Sequence, residues 1–177
     1  PESTAVGDNA TAFNNCVAVG ENALAGAPGA FGDCTAIGAD SEAALGSIGI
    51  GTRAKVRGNG TIGIGNDVSV PAGAVAGTVV VGHNSTGDNA TVLGSNSSVT
   101  GNPSNAMEGA VGVGKNVCVQ GAGAAAVGDG ARATNTNHLG VTAATTALGA
   151  QSNADAEGCV ALGATSDCGG KPTPFPW

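Results

Sequence analysis

The chain is poor in large side chains and in charge. Its 177 residues include three phenylalanines, one tryptophan, one methionine and no tyrosine, so the side chains that usually fill a thick globular core are scarce. Six basic residues stand against thirteen acidic ones, for a net charge of −7. Nucleic-acid binding needs clustered Lys and Arg, so we expect no nucleic-acid partner. No apolar run reaches the ~18 residues of a membrane-spanning helix, and none is predicted.

Glycine is abundant, and its spacing predicts the fold. The 32 glycines recur too often for stable helices, because each costs ~1 kcal/mol relative to alanine in a helix. Eleven of them, here called anchor glycines, each follow a small or aliphatic stretch, most often 13 or 14 residues after the previous one. They are Gly7, Gly20, Gly38, Gly51, Gly65, Gly82, Gly94, Gly114, Gly128, Gly149 and Gly163.

A short period with occasional insertions is typical of a solenoid, in which each repeat is one coil buried only by its neighbours. The sequence therefore predicts an all-β fold, a parallel β-roll or β-solenoid of about eleven two-stranded coils. We expect residues 1–170 to form this solenoid and residues 171–177 to form a separate tail rich in proline and aromatic residues.

Within each coil, positions are counted from the anchor glycine. Residues −3 and −1, such as Val17 and Val19, and residues +3 and +5, such as Ala23 and Ala25, alternate with the period of a strand. The larger aliphatics at −3 and −1 are predicted to point inward, which places −4 and −2 on an outward face without charge.

A flat, neutral outward face predicts a subunit interface, although small residues there also suit tight stacking alone. The predicted interface residues are Ala18, Ala36, Gly49, Gly63, Val80, Val92, Gly112, Ala126, Ala147 and Ala161.

The coil sequence resembles the head repeats of trimeric autotransporter adhesins. The closest stretch is Cys16-Val17-Ala18-Val19-Gly20-Glu21-Asn22-Ala23-Leu24-Ala25, and the likeness extends over roughly residues 3–168. This resemblance implies a left-handed parallel β-roll, three chains side by side, and attachment to host matrix or cell-surface molecules. It also implies an extracellular or cell-surface location. The chain departs from the family pattern in its five cysteines and in its tail.

The cysteines are Cys16, Cys34, Cys118, Cys159 and Cys168. They show no close pairing typical of a zinc site. Cys16 and Cys34 both occupy −4 of consecutive coils, which stacking brings ~5 Å apart, within the range of a disulfide. We predict that they pair; two buried free thiols are the alternative. Cys159 and Cys168 are a weaker candidate pair, because −4 is expected to face outward and +5 inward.

The tail contains two of the few aromatic residues, Phe175 and Trp177, among three prolines. Prolines hold a segment extended and withhold backbone donors. We expect the two aromatic side chains to dock, either on the last coil or on a neighbouring subunit.

Motifs for chemistry are not supported by their context. Gly58–Gly63 satisfies G-x-G-x-x-G but no helix is predicted after it. Gly109–Asn116 resembles a phosphate-binding loop, with Asn116 in place of the required Ser or Thr. His83 lies one residue past an anchor glycine and His138 lies in an insertion loop, and no nearby Ser or Cys with a fixed geometry supports a catalytic pairing. We therefore predict no catalytic, cofactor or metal site, and no enzyme activity.

Five Asn-x-Ser/Thr sequons begin at Asn9, Asn59, Asn84, Asn89 and Asn96. They are glycan acceptors in a secreted eukaryotic protein, and they also arise by chance in a repeat rich in Asn, Ser and Thr. For the whole chain we predict an oligomeric adhesive rod. A subunit that stacks end to end into an extracellular fibre is the alternative, and an ice- or mineral-binding solenoid is the third hypothesis.

Overall fold

The computed structural model describes residues 2–27, 32–101, 109–121, 123–134, 145–156 and 158–169. Within these residues the chain is all β, and its strands form two parallel sheets of eleven strands each. Odd-numbered strands form the first sheet and even-numbered strands form the second. One strand of each sheet makes a coil, so β1 and β2 form coil 1 and β21 and β22 form coil 11.

The strands are short, as expected of a repeat with so much glycine. The first sheet contains β1 (Thr4–Val6), β3 (Val17–Val19), β5 (Thr35–Ile37), β7 (Ile48–Ile50), β9 (Ile62–Ile64), β11 (Val79–His83), β13 (Ala90–Ser95), β15 (Ala110–Lys115), β17 (Ala125–Val127), β19 (Thr146–Leu148) and β21 (Val160–Leu162). The second sheet contains β2 (Thr11–Ala12), β4 (Leu24–Ala25), β6 (Glu42–Ala43), β8 (Lys55–Val56), β10 (Ser69–Val70), β12 (Thr86–Asp88), β14 (Ser98–Thr100), β16 (Cys118–Gln120), β18 (Arg132–Thr134), β20 (Asn153–Ala154) and β22 (Asp167–Cys168).

The register pairs equivalent positions of consecutive coils. Val19 pairs with Ile37, and Ile37 pairs with Ile50, so each position forms a row along the axis of the solenoid. At ~4.8 Å per parallel strand, ten steps give a rod of about 48 Å. The predicted parallel β-solenoid of about eleven coils is confirmed.

A sharp turn after the first strand depends on the anchor glycine. Gly20 has a φ of 135°, and a Cβ at this residue would collide with the carbonyl group of Gly38 in the next coil. Two residues later Asn22 adopts the left-handed region with a φ of 53°, which asparagine tolerates better than most residues. The repeated spacing in the sequence therefore marks a turn at which stacked backbones come too close for a side chain.

The interior is lined by positions −4, −2, +3 and +5, and this corrects the prediction for the first strand. Ala126, at −2, is fully buried, whereas Val127, at −1, is 40% exposed. All ten residues predicted to form an outward interface lie inside the coils: Ala18, Ala36, Gly49, Gly63, Val80, Val92, Gly112, Ala126, Ala147 and Ala161. The second strand was predicted correctly, since Ala25 and Val56, both at +5, are fully buried.

The reversal has a steric cause. Two strands of one coil lie so close together that glycines of one sheet contact side chains of the other: a Cβ at Gly49 would lie 2.9 Å from the carbonyl oxygen of Glu42 and 3.3 Å from Cγ2 of Val56. An isoleucine pointing inward would not fit. The interior accepts Gly, Ala, Ser, Thr, Cys and Val, so the larger aliphatic residues of the first strand point outward.

Volume is balanced between the two sheets inside the roll. Gly63, at −2, faces methyl groups of Val56 and Val68, and Gly87, at +5, faces methyl groups of Val80 and Val92. Coils 2, 3, 9 and 10 use alanine on both walls, as in the fully buried Ala18 and Ala25 of coil 2. The interior therefore keeps a nearly constant width through two different choices of residue.

Candidate functional site

The outward face of the first sheet is an apolar strip along the rod. Position −1 carries an aliphatic residue in every coil: Val6, Val19, Ile37, Ile50, Ile64, Val81, Leu93, Val113, Val127, Leu148 and Leu162. Position −3 adds valines and isoleucines, with threonine or alanine in the remaining coils. We call the −3 and −1 rows together the apolar strip.

The exposure of the strip is unusual for a surface. Among the described residues, eleven large hydrophobic side chains are exposed, and nine of them belong to the strip. In the middle of the rod Ile64 is 39% exposed and Leu93 is 42% exposed, while Leu162 in the last coil reaches 63%. Monomeric soluble proteins rarely expose contiguous apolar patches of this extent, which mark interaction surfaces.

The outward face of the second sheet has the opposite character. Positions +2 and +4 carry mainly Asn, Asp, Ser, Thr, Glu, Lys and Arg, and their side chains bond along the rod. Asn22 donates to Asp40 across 3.1 Å, and Arg53 binds Asp67 through two hydrogen bonds of 2.5 and 2.7 Å. Arg57 pairs with Glu42 at 2.6 Å. The polar and charged side chains of this face are suited to contact with solvent.

The ion pairs seen among the described residues lie on this polar face. Hydrogen bonding from the Arg53 guanidinium lowers the pKa of the Asp67 carboxyl group below its ordinary value. Because both side chains lie at the surface, the pair is screened by solvent and stabilises the fold only weakly. It holds two neighbouring coils in register rather than forming a reactive site.

The cysteines are paired differently from the prediction. Cys159 and Cys168 form a disulfide with their Cα atoms 5.9 Å apart, whereas Cys16 and Cys34 are buried free thiols and Cys118 is a half-buried free thiol. The predicted Cys16–Cys34 bond is therefore wrong in this structure. Positions −4 and +5 both face the interior, so Cys159 and Cys168 do not point to opposite faces as the sequence predicted. Their disulfide links the two strands of coil 11.

Cys16 and Cys34 are held as thiols by the backbone around them. The Cys34 amide donates to the Cys16 sulfur over 3.2 Å, and the Cys16 thiol donates to the Gly32 carbonyl oxygen over 3.1 Å. Burial raises the pKa of the Cys16 thiol above its ordinary value, so its reactive thiolate form is disfavoured. The remaining predicted contact residues, Phe175 and Trp177, lie outside the described residues.

Groups for catalysis are not assembled in the part of the chain that the structure describes. There, no cluster of three or more His, Cys, Asp or Glu residues is arranged to hold a metal ion. A shallow cleft of about 260 Å³ lies between coils 6, 7 and 8 and is lined by small side chains with Asn89 and no titratable group. None of the described segments forms a helix with the length and apolarity that crossing a membrane requires.

For the first strand, hydrophobicity alone predicts the wrong face. The −1 row is the most hydrophobic part of each repeat, so a rule that buries the largest apolar residues places it inside, whereas the structure places it outside. A usable signal was present: glycine at −2 in coils 4, 5 and 8 accompanies valine at +5 in each of those coils. That complementarity requires the two positions to face each other.

Comparison with known proteins agrees with this geometry. The family model of the YadA head domain repeat matches the chain in two copies, over residues 85–104 and 143–166. The second copy contains the two consecutive anchor glycines Gly149 and Gly163, and the first contains Gly94. A search of curated proteins finds no match. The chain is therefore a parallel β-solenoid, two segments of which are similar to the YadA head domain repeat.

Proposed function

We propose that this chain is a non-enzymatic, surface-exposed rod of an adhesin-like protein, in which copies pack side by side through the apolar strip. The observation that carries the proposal is the uninterrupted aliphatic row at −1, whose residues are exposed or half-buried in a single chain. The two matches to the YadA head domain repeat support the adhesin-like role and the cell-surface location. This proposal moves the predicted interface from position −2 to positions −1 and −3.

The energetics of the strip favour burial against another copy. Covering the exposed part of one Leu or Ile side chain contributes about 1 kcal/mol at ~25 cal/mol per Å². Eleven coils together contribute on the order of 10 kcal/mol per copy, which is comparable to the 4–15 kcal/mol that association costs in lost freedom. The hydrophobic gain therefore offsets the cost of association only when side-by-side packing extends over most of the rod, and packing over one or two coils does not offset it.

The most suitable partner is another copy of the same chain. The strip is nearly uniform along the rod, so a parallel copy meets the same aliphatic row at every level. In an assembly with closed cyclic symmetry, the strip of every copy is buried in the same way. Three copies is the number that the family resemblance implies. In such an assembly the polar face of the second sheet stays in solvent, and it is the surface available to host matrix or cell-surface molecules.

A pair of charge substitutions in coil 9 tests the proposal. Val127 lies in the strip and is 40% exposed, while Arg132 lies on the polar face of the same coil. We expect Val127→Glu to abolish the assembly and leave the circular dichroism spectrum of the solenoid unchanged. Arg132→Glu is the matched control and should leave both unchanged. Molar mass is measured by light scattering on a size-exclusion column.

A third substitution in the same coil separates interface from core. Ala126 is fully buried, so Ala126→Glu should unfold the coil itself rather than only dissociate copies, because an unpaired charge is too costly inside the roll. A parent chain that is monomeric at micromolar concentration contradicts the side-by-side proposal. Long filaments in negative-stain images would instead support end-to-end stacking, for which the described residues give no specific observation.

A further inference from the structure

The five sequons are not equivalent in the folded chain. N-linked transfer needs access to the asparagine amide and to the hydroxyl group two residues later, because both belong to the acceptor triad. In three triads both members are exposed: Asn9 with Thr11, Asn84 with Thr86, and Asn96 with Ser98. Solvent exposure of both triad members, which the sequence does not give, thus separates these three sequons from the other two.

The other two triads each have a buried member. The side chain of Asn59 lies at the surface, but Thr61 is 1% exposed and its hydroxyl donates to the Gly58 carbonyl oxygen over 3.0 Å. Asn89 itself is 7% exposed. An enzyme that binds the whole triad has no access to either of them while the coils are stacked.

The three exposed triads share one local geometry. Each asparagine stands at +2 of its coil in the left-handed region, with φ between 49° and 53°. Each hydroxyl residue stands at +4, on the outward face of the second sheet. The middle residue points inward, so the asparagine and the hydroxyl residue project together from one turn into solvent.

Each of the three carboxamides has one hydrogen bond along the rod that leaves at least one amide hydrogen unused: Asn9 and Asn84 donate one, and Asn96 accepts one through its oxygen. The Asn9 amide donates to Asn22 over 3.3 Å, and the Asn84 amide donates to Asn96 over 3.0 Å. A carboxamide nitrogen carries two hydrogens. Replacement of the second hydrogen by a sugar therefore leaves the existing bond intact, and the coils remain in register.

We propose that Asn9, Asn84 and Asn96 are acceptor sites for N-linked glycosylation. In the reaction the side-chain nitrogen attacks the anomeric carbon of an activated sugar, and the new C–N bond replaces the bond to a diphosphate leaving group. The amide proton passes to a base of the transferase, and no oxidant or reductant is needed. The substrate class is a sugar activated by diphosphate linkage, carried by a nucleotide or by a membrane lipid.

Glycosylation at these three sites is compatible with side-by-side assembly and does not require it. All three lie on the polar face of the second sheet, whereas the apolar strip belongs to the first sheet. Sugars attached there add bulk and polarity to the solvent side and leave the strip uncovered. The proposal concerns acceptor chemistry, so a monomeric chain that is glycosylated would refute the side-by-side assembly without refuting this inference.

Two transfer reactions on the folded full-length chain test the inference and identify the donor. One uses UDP-glucose with a soluble N-glycosyltransferase, and the other uses a lipid-linked oligosaccharide with a membrane oligosaccharyltransferase. Occupancy is measured for each asparagine by mass spectrometry of peptides. We expect transfer to Asn9, Asn84 and Asn96 in at least one reaction, with Asn59 and Asn89 unmodified until the chain is denatured.

A matched pair of variants sharpens the result. Thr86→Ala should remove transfer to Asn84 and leave transfer to Asn96, because it deletes the hydroxyl of one triad without touching the Asn84–Asn96 bond. Thr86→Ser retains the hydroxyl and should restore occupancy. Failure of both reactions to modify these three asparagines in the folded chain overturns the inference. Equal occupancy of Asn89 in the folded chain also overturns it, since access would then not depend on the structure.

Discussion

The alanine-lined coils and the glycine–valine coils fill the same narrow interior in two different ways. Coils 2, 3, 9 and 10 place alanine at both −2 and +5, so each wall contributes one methyl group. Coils 4 to 8 combine glycine on one wall with valine on the other, within a coil or between neighbours, as at Gly63 with Val56 and Gly112 with Val99. The interior of the coils therefore keeps the same width with different residues on its two walls.

The two solutions differ in how sensitive they are to substitution. Where a valine packs against a glycine, truncation of the valine leaves a cavity, because the glycine has no side chain that could move into it. An alanine coil has two small groups, and each change there is limited to one methyl group. We therefore expect the middle of the rod to contribute more stability per side chain than the alanine coils on either side.

Truncation of a valine gives the largest expected effect. Val56→Ala removes two methyl groups next to Gly49 and Gly63, and the free energy of unfolding should fall by about 2–4 kcal/mol through lost burial and a cavity. Ala43→Gly, at the same position in coil 3, is the control and should cost about half as much or less. Urea denaturation of both variants measures the difference. Equal losses would mean that the two kinds of coil are energetically alike.

Loss of the disulfide in coil 11 comes next. Coil 11 joins its two walls through Cys159 and Cys168, which are nine residues apart in sequence. The chain-entropy estimate for so short a loop is about 2.6 kcal/mol, and Cys159→Ser should lower stability by up to that amount, beginning in coil 11. Hydrogen exchange of the last two coils locates the effect. Cys118→Ser should have little effect, and an unchanged melting temperature in reducing buffer would contradict the prediction.

Insertion of a methyl group opposite a valine is expected to cost less, and it can be compensated. Gly63→Ala should destabilise by about 1–2 kcal/mol, because the new Cβ presses on Val56 and Val68. Combining it with Val56→Ala converts coil 5 toward the alanine solution. The double variant should therefore lose less than the sum of the two single losses, by at least 1 kcal/mol in a double-mutant cycle. Additive losses would show that the two sites do not share space.

The smallest effect concerns the ion pair that spans coils 4 and 5. The pKa of Asp67 is lowered in the folded chain by hydrogen bonding from Arg53, so the folded state favours the ionised form. The resulting stability is present above the ordinary Asp range near pH 3.9 and is lost as the pH falls through the lowered value. Asp67→Asn should make the melting temperature slightly less sensitive to acid. A change in melting temperature at pH 7 as large as that of Gly63→Ala would contradict the surface character of this pair.

Much of the architecture could be predicted from the sequence because it depends on backbone geometry. The anchor glycines mark turns where stacked backbones leave no room for Cβ, and the period of two around them identifies both strands of each coil. The faces of the second strand also follow, since charged residues such as Arg53 and Lys55 alternate with small ones such as Ala54. Local patterns are sufficient wherever polarity separates the two faces.

The faces of the first strand could not be predicted by hydrophobicity, because neither face is polar. Ala18 and its neighbours Val17 and Val19 are all apolar, and the rule that larger apolar residues lie inside gives the wrong choice when the interior is only one small side chain thick. In the single chain many of these aliphatic residues remain exposed, which a rule based on burial of the largest apolar residues does not anticipate. The error also spread to the cysteines, because the pairing of Cys159 with Cys168 depends on −4 pointing inward.

The axial direction of the ladder hydrogen bonds has a mechanical consequence. Strands run across the rod, so a force applied to the chain ends opens one ladder at a time instead of loading all ladders together. Each coil of 13 or 14 residues that peels away should lengthen a single chain by about 40 Å, from ~3.4 Å per extended residue less the ~4.8 Å it occupied. The last coil should give a shorter step, because the bond between Cys159 and Cys168 keeps the segment between them from extending. Under tension, a rod of this kind acts as a series of extensible links whose lengths follow the spacing of the anchor glycines, with the link in coil 11 partly locked by its disulfide.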